Sequence, residues 1–260
     1  MKLNIDEEMV LNKLLKLKVD KAQGPVDIHP AVLSNCAQAV ALPLTIVYQK
    51  SLQEGILPKD WKLAVVVPIF KKGNKHEASN YRPVSLTSMP CKVLEAVIMD
   101  AVVTHLEKHN FYTDCQHGFM KGRSTLTNLL VTLECWTSIL EEGSGLDVIN
   151  LDYKKAFDTV PHQKLMQKLK GLKLGETPTK WIEQFLLGRQ IRVHINWIDV
   201  LSRVPQGSVR SRTLVVFDIC QRSAIVLCGS EFSSIGSVSI RFWIKTAVLV
   251  SISNPSQHYF

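Results

Sequence analysis

The residues best placed to do chemistry lie in Asp147-Val-Ile-Asn-Leu-Asp-Tyr-Lys-Lys-Ala-Phe-Asp-Thr-Val-Pro-His162. A short apolar run ends at Leu151 and delivers the Asp152 carboxylate at the C-terminal end of a strand, beside two lysines. A carboxylate in that position suits a hard cation such as Mg²⁺, which takes oxygen ligands and completes its shell with water and substrate phosphates. A solvated turn carboxylate fits the same residues. Asp158 lies further along and shares no helix face with Asp152, so it is not an obvious second ligand. Lys71-Lys72-Gly73, Arg82, and Lys121 with Arg123 supply cations of the kind that hold phosphate oxygens. Lys164 and Lys168 share a helix face; with Lys170, Lys173, Arg189 and Arg192 they suit phosphate contacts or a solvated surface equally. His105, His109, Cys115 and His117 invite comparison with a zinc site, but the irregular spacing and the Cys-x-His pair suit a tetrahedral ion poorly, and no zinc is expected. There is no P-loop, dinucleotide fingerprint or nucleophile elbow.

The elements that must position these residues are legible up to about residue 209. Ser124 precedes Leu126, Leu129, Leu130, Leu133, Trp136 and Leu140, spaced to give a helix one apolar face. Leu94, Val97, Ile98, Ala101 and Val102 mark a helix entered after Pro90, and Leu165, Leu169 and Leu172 mark another after the Asp152 turn. Thr177 and Pro178 fit N-cap and N1 of a helix that buries Trp181, Ile182, Phe185 and Leu186 and stops at Gly188. Ala64–Phe70 reads as an apolar strand whose Pro68 puts it at an edge or a strand end. Gln190–Trp197 alternates as one half-buried strand. After Val209 the pattern dissolves into short β-prone runs, Leu214–Ile219, Ala224–Leu227 and Thr246–Ile252, among many serines. Such runs aggregate when left unpaired.

Composition sets the frame. The 260 residues are 46% hydrophobic and 21% charged, with mean hydropathy +0.07, which is enough to bury a core and excludes disorder over the whole length. A net charge of +8 favours polyanionic partners. Beyond residue 210 the charged residues thin to Arg212, Arg222, Arg241, Lys245, Asp218 and Glu231. Cys36, Cys91, Cys115, Cys135, Cys220 and Cys228 form no CxxC. The N-terminus carries acids where a signal peptide needs an apolar stretch, and no run reaches the ~18 apolar residues of a membrane span. A reduced, soluble, intracellular protein with no membrane partner is expected, the nucleus and cytoplasm being undecided.

Five segments together resemble the reverse transcriptase domain of non-LTR (LINE-type, jockey-like) retrotransposons. They are Trp61-Lys-Leu-Ala-Val-Val-Val-Pro-Ile-Phe-Lys-Lys-Gly73, Asn80-Tyr-Arg-Pro-Val-Ser-Leu-Thr-Ser88, Gln116-His-Gly-Phe-Met-Lys-Gly-Arg-Ser-Thr125, Leu151–His162 and Val204-Pro-Gln-Gly-Ser-Val209. They stand in the family's order over about residues 20–209. The resemblance implies an α+β fold: the fingers of a right-hand polymerase over 1–140, a partial palm over 141–209, and a tail, 210–260, that does not match. It implies RNA-directed DNA polymerisation with an RNA template, a DNA primer, dNTPs and Mg²⁺. Asp152 and the Tyr153 carbonyl would then hold metal, and Phe157 would be the gate against a 2′-hydroxyl. Lys71 or Lys72, with Arg82, would hold the incoming triphosphate, the sequence not fixing which lysine. Gln206 would lie along the nascent base pair, with Gly207 allowing close backbone approach. Lys121 and Arg123 would face the template.

The departures from the family pattern are as informative. The loop usually reading Gly-Pro-Asp-Gly is Gly24-Pro-Val-Asp27, and Met120 stands where an Arg is usual. The family continues past Gln-Gly-Ser-Val with Leu-Gly-Pro and later an Asp-Asp hairpin. Here Arg210-Ser-Arg-Thr213 follows, and no adjacent Asp pair occurs. Read this way the chain is truncated within the palm and inactive alone. A non-catalytic nucleic-acid-binding fragment and a decayed reading frame are the other readings. Without the hairpin the Asp147–Asp152 strand lacks its neighbour. Val215–Ile219 and Val248–Ile252 are possible substitutes, but neither has turn chemistry to fix a register, so slippage and aggregation are expected.

Overall fold

The structure, a computed structural model, describes residues 3–143, 145–152, 160–193, 196–199, 239–242 and 246–253. In chain order the elements are α1 (Glu7–Leu15), α2 (Pro30–Asn35), α3 (Ala37–Glu54), β1 (Leu63–Phe70), β2 (Tyr81–Thr87), α4 (Met89–Lys108), α5 (Thr125–Glu141), β3 (Gly145–Asp152), α6 (His162–Gly171), α7 (Glu176–Leu186), β4 (Gln190–Val193), β5 (Asn196–Asp199), β6 (Ser239–Phe242) and β7 (Thr246–Ser253). This is a mixed α and β protein. Two compact units form: Met1–His109 with Phe157–Arg212, and Asn110–Ala156 with Thr213–Phe260. Among the described residues no helix is long and apolar enough to cross a membrane.

The first unit is built around α4. Met89, Cys91, Val93, Leu94, Val97, Ile98, Met99, Val102 and Leu106 are buried on nearly all sides of this helix, the pattern of a central rather than a surface helix. It begins at Met89, before Pro90, because a proline in the first turn gives up an N–H that has no intrahelical partner. In α7, Trp181, Ile182, Phe185 and Leu186 are buried as the spacing predicts, and the Trp181 and Phe185 rings stack at 5.5 Å. That helix starts earlier than Thr177: Gly175, at φ +94°, is the N-cap, and Pro178 sits inside the first turn. Leu165 and Leu169 of α6 and the following Leu172 are buried. Polar ties connect the helices. Trp181 Nε1 donates to Ser51 Oγ (3.0 Å), and Tyr48 Oη donates to the Pro90 carbonyl (2.7 Å).

The sheet of this unit runs β2-β1-β4-β5. β1 pairs with β2 antiparallel along its length, from Ala64–Thr87 to Phe70–Tyr81, and with β4 in parallel only over Leu63–Val65. Among the described residues β1 has a partner on one side alone at Pro68, so its missing N–H disturbs no second ladder there. Gln190–Trp197 is not one strand. It is split between β4 and β5, an antiparallel pair in which Ile191 faces Ile198 and Arg192 faces Trp197. In the sequence the odd-numbered apolar residues run straight on through 191, 193, 195 and 197, although the register pairs odd positions of one arm with even positions of the other, so the pattern did not mark the reversal.

In the second unit Ser124 caps α5 with a reciprocal box: the Thr127 N–H donates to Ser124 Oγ (3.2 Å), and the Ser124 N–H donates to Thr127 Oγ1 (2.8 Å). α5 packs on β3 and buries Asn128, Thr132 and Ile139; the leucine stripe points away. The sheet runs β3-β7-β6, all antiparallel. Every residue of β3 has a partner in β7, from Gly145–Ser253 to Asp152–Thr246. The expectation that no tail segment would find a register is overturned here. β7 is paired on its other side with β6, from Phe242–Ala247 to Ser239–Val250. The runs Leu214–Ile219 and Ala224–Leu227 lie outside the described residues.

Candidate functional site

The β1–β2 hairpin carries three of the expected site residues. Past Val66 its residues open to solvent, with Val67 40%, Ile69 51% and Phe70 38% exposed. Cross-strand pairing sets Arg82 opposite Ile69 and Tyr81 opposite Phe70. Lys71 follows at the end of the Ile69 side and still donates its N–H to the Asn80 carbonyl at 2.9 Å. Lys72 comes next, and Lys71, Lys72 and Arg82 are all exposed.

Side chains tie the connecting loop internally, a feature the motif reading did not draw out. Asn80 Nδ2 donates to the Asn74 carbonyl (2.9 Å) and to Glu77 Oε2 (3.2 Å), and Tyr81 Oη donates to the Lys75 carbonyl (2.9 Å). Phe70 and Tyr81 meet edge-on at 5.5 Å, and Lys75 Nζ lies 5.8 Å from the Phe70 ring centre. Gly73, at φ +88°, makes the turn beside the Asn80 amide. Two lysines at a loop tip say nothing of these ties; the polar Asn74 and Asn80 flanking the loop were the available signal.

In the second unit the Gln116–Thr125 segment is a loop tied by local hydrogen bonds that leads into α5. Arg123 Nη1 donates to the carbonyls of Asp114 (2.5 Å) and Gln116 (2.8 Å), while Nη2 lies 3.5 Å from Asp114 Oδ1. Gln116 Nε2 donates to the Gly118 carbonyl (2.7 Å), and His117 Nδ1 lies 3.0 Å from Thr127 Oγ1. Phe119 is held in the left-handed region (φ +60°), a conformation that costs a residue with a Cβ about 1–2 kcal/mol. Arg123 thus braces the loop, while Lys121 is exposed on it. Asp152 closes β3, opposite Thr246, as the strand-end reading expects. Tyr153, Phe157, Gln206 and Gly207 lie outside the described residues. Lys71, Lys72 and Arg82 therefore come together in one unit, and Lys121, Arg123 and Asp152 belong to the other.

One expected phosphate contact is corrected. Arg189 is 1% exposed and cannot meet a polyanion. Its Nη1 donates to the carbonyls of Phe185 (3.2 Å) and Trp61 (3.4 Å), and the guanidinium lies 4.5 Å from the Phe185 ring centre. Nη2 has no hydrogen-bond partner among the described residues. Burial pulls its pKa down, opposed by the nearby Cys91 and Glu95. Its place just after α7, at the helix's C-terminal carbonyls, suits a cation. His105 also has a structural contact: its Nε2 lies 2.9 Å from the Leu172 carbonyl, and its ring sits 4.2 Å from that of His109. Among the described residues no three His, Cys, Asp or Glu side chains converge as metal ligands.

Residues 69–221 match the profile of the reverse transcriptase (RNA-dependent DNA polymerase) family, more than half of the chain. The chain belongs to this family. Its curated relatives are elements of the non-LTR type, and the chain carries a LINE-type reverse transcriptase domain. It is 27% identical over 209 residues to the probable RNA-directed DNA polymerase from transposon BS of Drosophila melanogaster, covering 78% of this chain and 23% of that protein. It is 29% identical over 215 residues to the RNA-directed DNA polymerase from mobile element jockey of Drosophila funebris, covering 80% and 23%. It is 29% identical over 134 residues to the Pol polyprotein of the type-1 retrotransposable element R2 of Popillia japonica, covering 52% and 18%. The chain thus spans about a quarter of the length of the first two relatives. The family match begins within β1 and runs past Val209, where the legible sequence pattern stops.

Proposed function

We propose that this chain is the nucleotide- and template-binding portion of an RNA-directed DNA polymerase, fingers with part of a palm, and that it does not complete catalysis by itself. The observation that carries the reading is the exposed β1–β2 hairpin, where Arg82 and Lys71 follow one another on the Ile69 side. Two cations on one side of a tip suit the oxygens of an incoming triphosphate, which take charge-assisted hydrogen bonds. Lys71 is the lysine of the pair in this reading, because its N–H still bonds across the hairpin to the Asn80 carbonyl, whereas Lys72 already lies in the bend before Gly73. Lys121 meets the RNA template directly, and Arg123 serves that contact by bracing its loop.

Asp152, with the Tyr153 carbonyl, is the Mg²⁺ ligand in this reading. The ion would neutralise charge at the attacking and leaving oxygens of phosphoryl transfer. Among the described residues no complete metal site is assembled, and the sequence holds no adjacent Asp pair, which is the ground for reading the chain as incomplete. Phe157 is the gate against a ribose 2′-hydroxyl, Gln206 lies along the base pair, and Gly207 lets the backbone approach it.

Primer extension on an RNA template with Mg²⁺ or Mn²⁺ tests incompleteness, and no product above background is expected. Product that vanishes in Asp152→Ala overturns it. Fluorescence anisotropy with an RNA–DNA hybrid tests binding, expected to be weak and to fall with salt at a log–log slope of about −0.7 to −0.9 per phosphate contacted. Crosslinking to a labelled dNTP should drop in Lys71→Ala and Arg82→Ala and survive in Lys72→Ala; the reverse order of the two lysines refutes the assignment.

A further inference from the structure

Residues 71–82 carry Lys71, Lys72, Lys75 and Arg82 and a single carboxylate, Glu77. Among the described residues that carboxylate forms an ion pair with none of these cations. It is held by an amide instead. Asn80 Nδ2 donates to Glu77 Oε2 (3.2 Å) and to the Asn74 carbonyl (2.9 Å), which uses both of its hydrogens and fixes the amide's orientation. The Asn80 N–H donates to the Glu77 carbonyl (3.1 Å), and the Asn80 carbonyl accepts from the Lys71 N–H (2.9 Å). One residue thus holds the acid through its side chain and the Lys71 backbone through its carbonyl. The chain passes this amide at Gly73, where a Cβ would stand 2.8 Å from Asn80 Nδ2.

We propose that Asn80 is a positioning residue that keeps Glu77 off the cations of the hairpin tip, and so sets how strongly they hold a nucleoside triphosphate. The inference rests on the assignment of Lys71 and Arg82 to the triphosphate. A carboxylate and a phosphate take the same charge-assisted hydrogen bonds, so Glu77 is the local rival of the nucleotide. It is also a tethered rival, present at a high effective concentration, whereas the nucleotide must arrive from solution. The amide removes the rival without a charge of its own, so no cation of the tip is spent on the task. Lys75 is occupied too, with its Nζ 5.8 Å from the Phe70 ring centre and its carbonyl accepting from Tyr81 Oη (2.9 Å). Lys71 and Arg82 are left exposed, as a phosphate ligand requires.

Crosslinking of the full chain to labelled dATP over a concentration series tests this, with Lys71→Ala and Arg82→Ala as references. Asn80→Ala should raise the half-saturating concentration about three- to fivefold, the size of one exposed ion pair. Asn80→Asp, which sets a second carboxylate beside Glu77, should raise it at least as far. Glu77→Gln alone should bind no more weakly than wild type, and the double variant Asn80→Ala/Glu77→Gln should recover most of the loss. That rescue separates the proposal from a loop that has merely loosened, which removing a charge at Glu77 would not repair. If Lys71→Ala and Arg82→Ala weaken crosslinking, then wild-type binding in Asn80→Ala or Asn80→Asp, or a double variant as weak as Asn80→Ala, overturns the proposal and leaves the site standing. If wild type shows no saturable crosslinking, or both reference variants match it, the triphosphate site falls and the proposal falls with it.

Discussion

Gly24→Ala should destabilise the first unit through a contact that no side chain can relieve. Gly24 is buried, and a Cβ there would lie 2.3 Å from the Thr87 carbonyl oxygen, 2.7 Å from its carbon and 3.0 Å from the Ser88 nitrogen. All three are backbone atoms, so the strain has no rotamer to escape into. They form the junction between β2 and α4, and α4 is buried on nearly every side, with Tyr48 bonded to Pro90 in its first turn. Overpacking costs about 1–3 kcal/mol, and a clash with fixed backbone belongs at the upper end. Against it stands the ~0.4–1 kcal/mol that alanine gains by restricting the unfolded chain. The net expectation is a loss of about 2 kcal/mol, more than tenfold in the folding equilibrium. Urea unfolding followed by tryptophan fluorescence reads this directly, since Trp61 and Trp181 are buried in the same unit. Gly171→Ala is the control. That glycine is helical and has nothing within 4 Å of its Cβ position, so the substitution should stabilise by about 0.5–1 kcal/mol. A Gly24→Ala midpoint equal to wild type, with the control shifted upward, would refute the close approach.

Arg189→Leu should cost about 3 kcal/mol in the same assay, because it strips a buried cation from the vicinity of buried Glu95 and loses the carbonyl bonds to Trp61 and Phe185; a loss under about 1 kcal/mol would count against the clamp. Asp27→Gly should stabilise by about 0.5–1 kcal/mol, since Asp27 holds φ +54° where the related loop has glycine; no gain, or a loss, would show that its contact with Gln23 (3.2 Å) matters more. Burial holds the Lys92 pKa below the usual lysine value, with Glu95 and Cys91 opposing it. A base with a depressed folded pKa favours folding more once the unfolded chain also loses its proton, so stability should climb as pH rises from the lowered folded value through the ordinary lysine value. Urea titrations across that window should show the climb in wild type and a flatter profile in Lys92→Met; identical profiles would contradict it.

What the sequence disclosed depended on whether local pattern and tertiary context agreed. In α4, α6 and α7 the apolar spacing coincides with the face that is buried, so the elements were legible to within a turn. In α5 the spacing identified the helix and its cap but could not say which side the unit would bury, and the buried side is the one bearing Asn128 and Thr132. The β4–β5 reversal was hidden because apolar residues recur at every odd position from 191 to 197, straight through it. Arg189 looked like one more surface cation, since only the fold reveals that it lies behind Trp61 and Phe185. Of the site, the order of motifs supplied the family and the candidate residues. That Arg82 lies across from Ile69 needed the hairpin register, which no residue type encodes alone.

The partial pairing of β1 has a mechanical consequence. Among the described residues β1 is flanked on both sides over Leu63–Val65 and on one side from Val66 onward, so that the hairpin is a cantilever clamped at its root. From Val65 to Phe70 the arm is about 17 Å long at ~3.3 Å per residue. A bend of some 10° at the root would carry the tip through about 3 Å, the length of a hydrogen bond, without breaking a rung between β1 and β2. Because Asn80 and Tyr81 stiffen the loop, the tip would travel as one piece. The stiffness of three residues at the base thus governs how far Lys71 and Arg82 can reach.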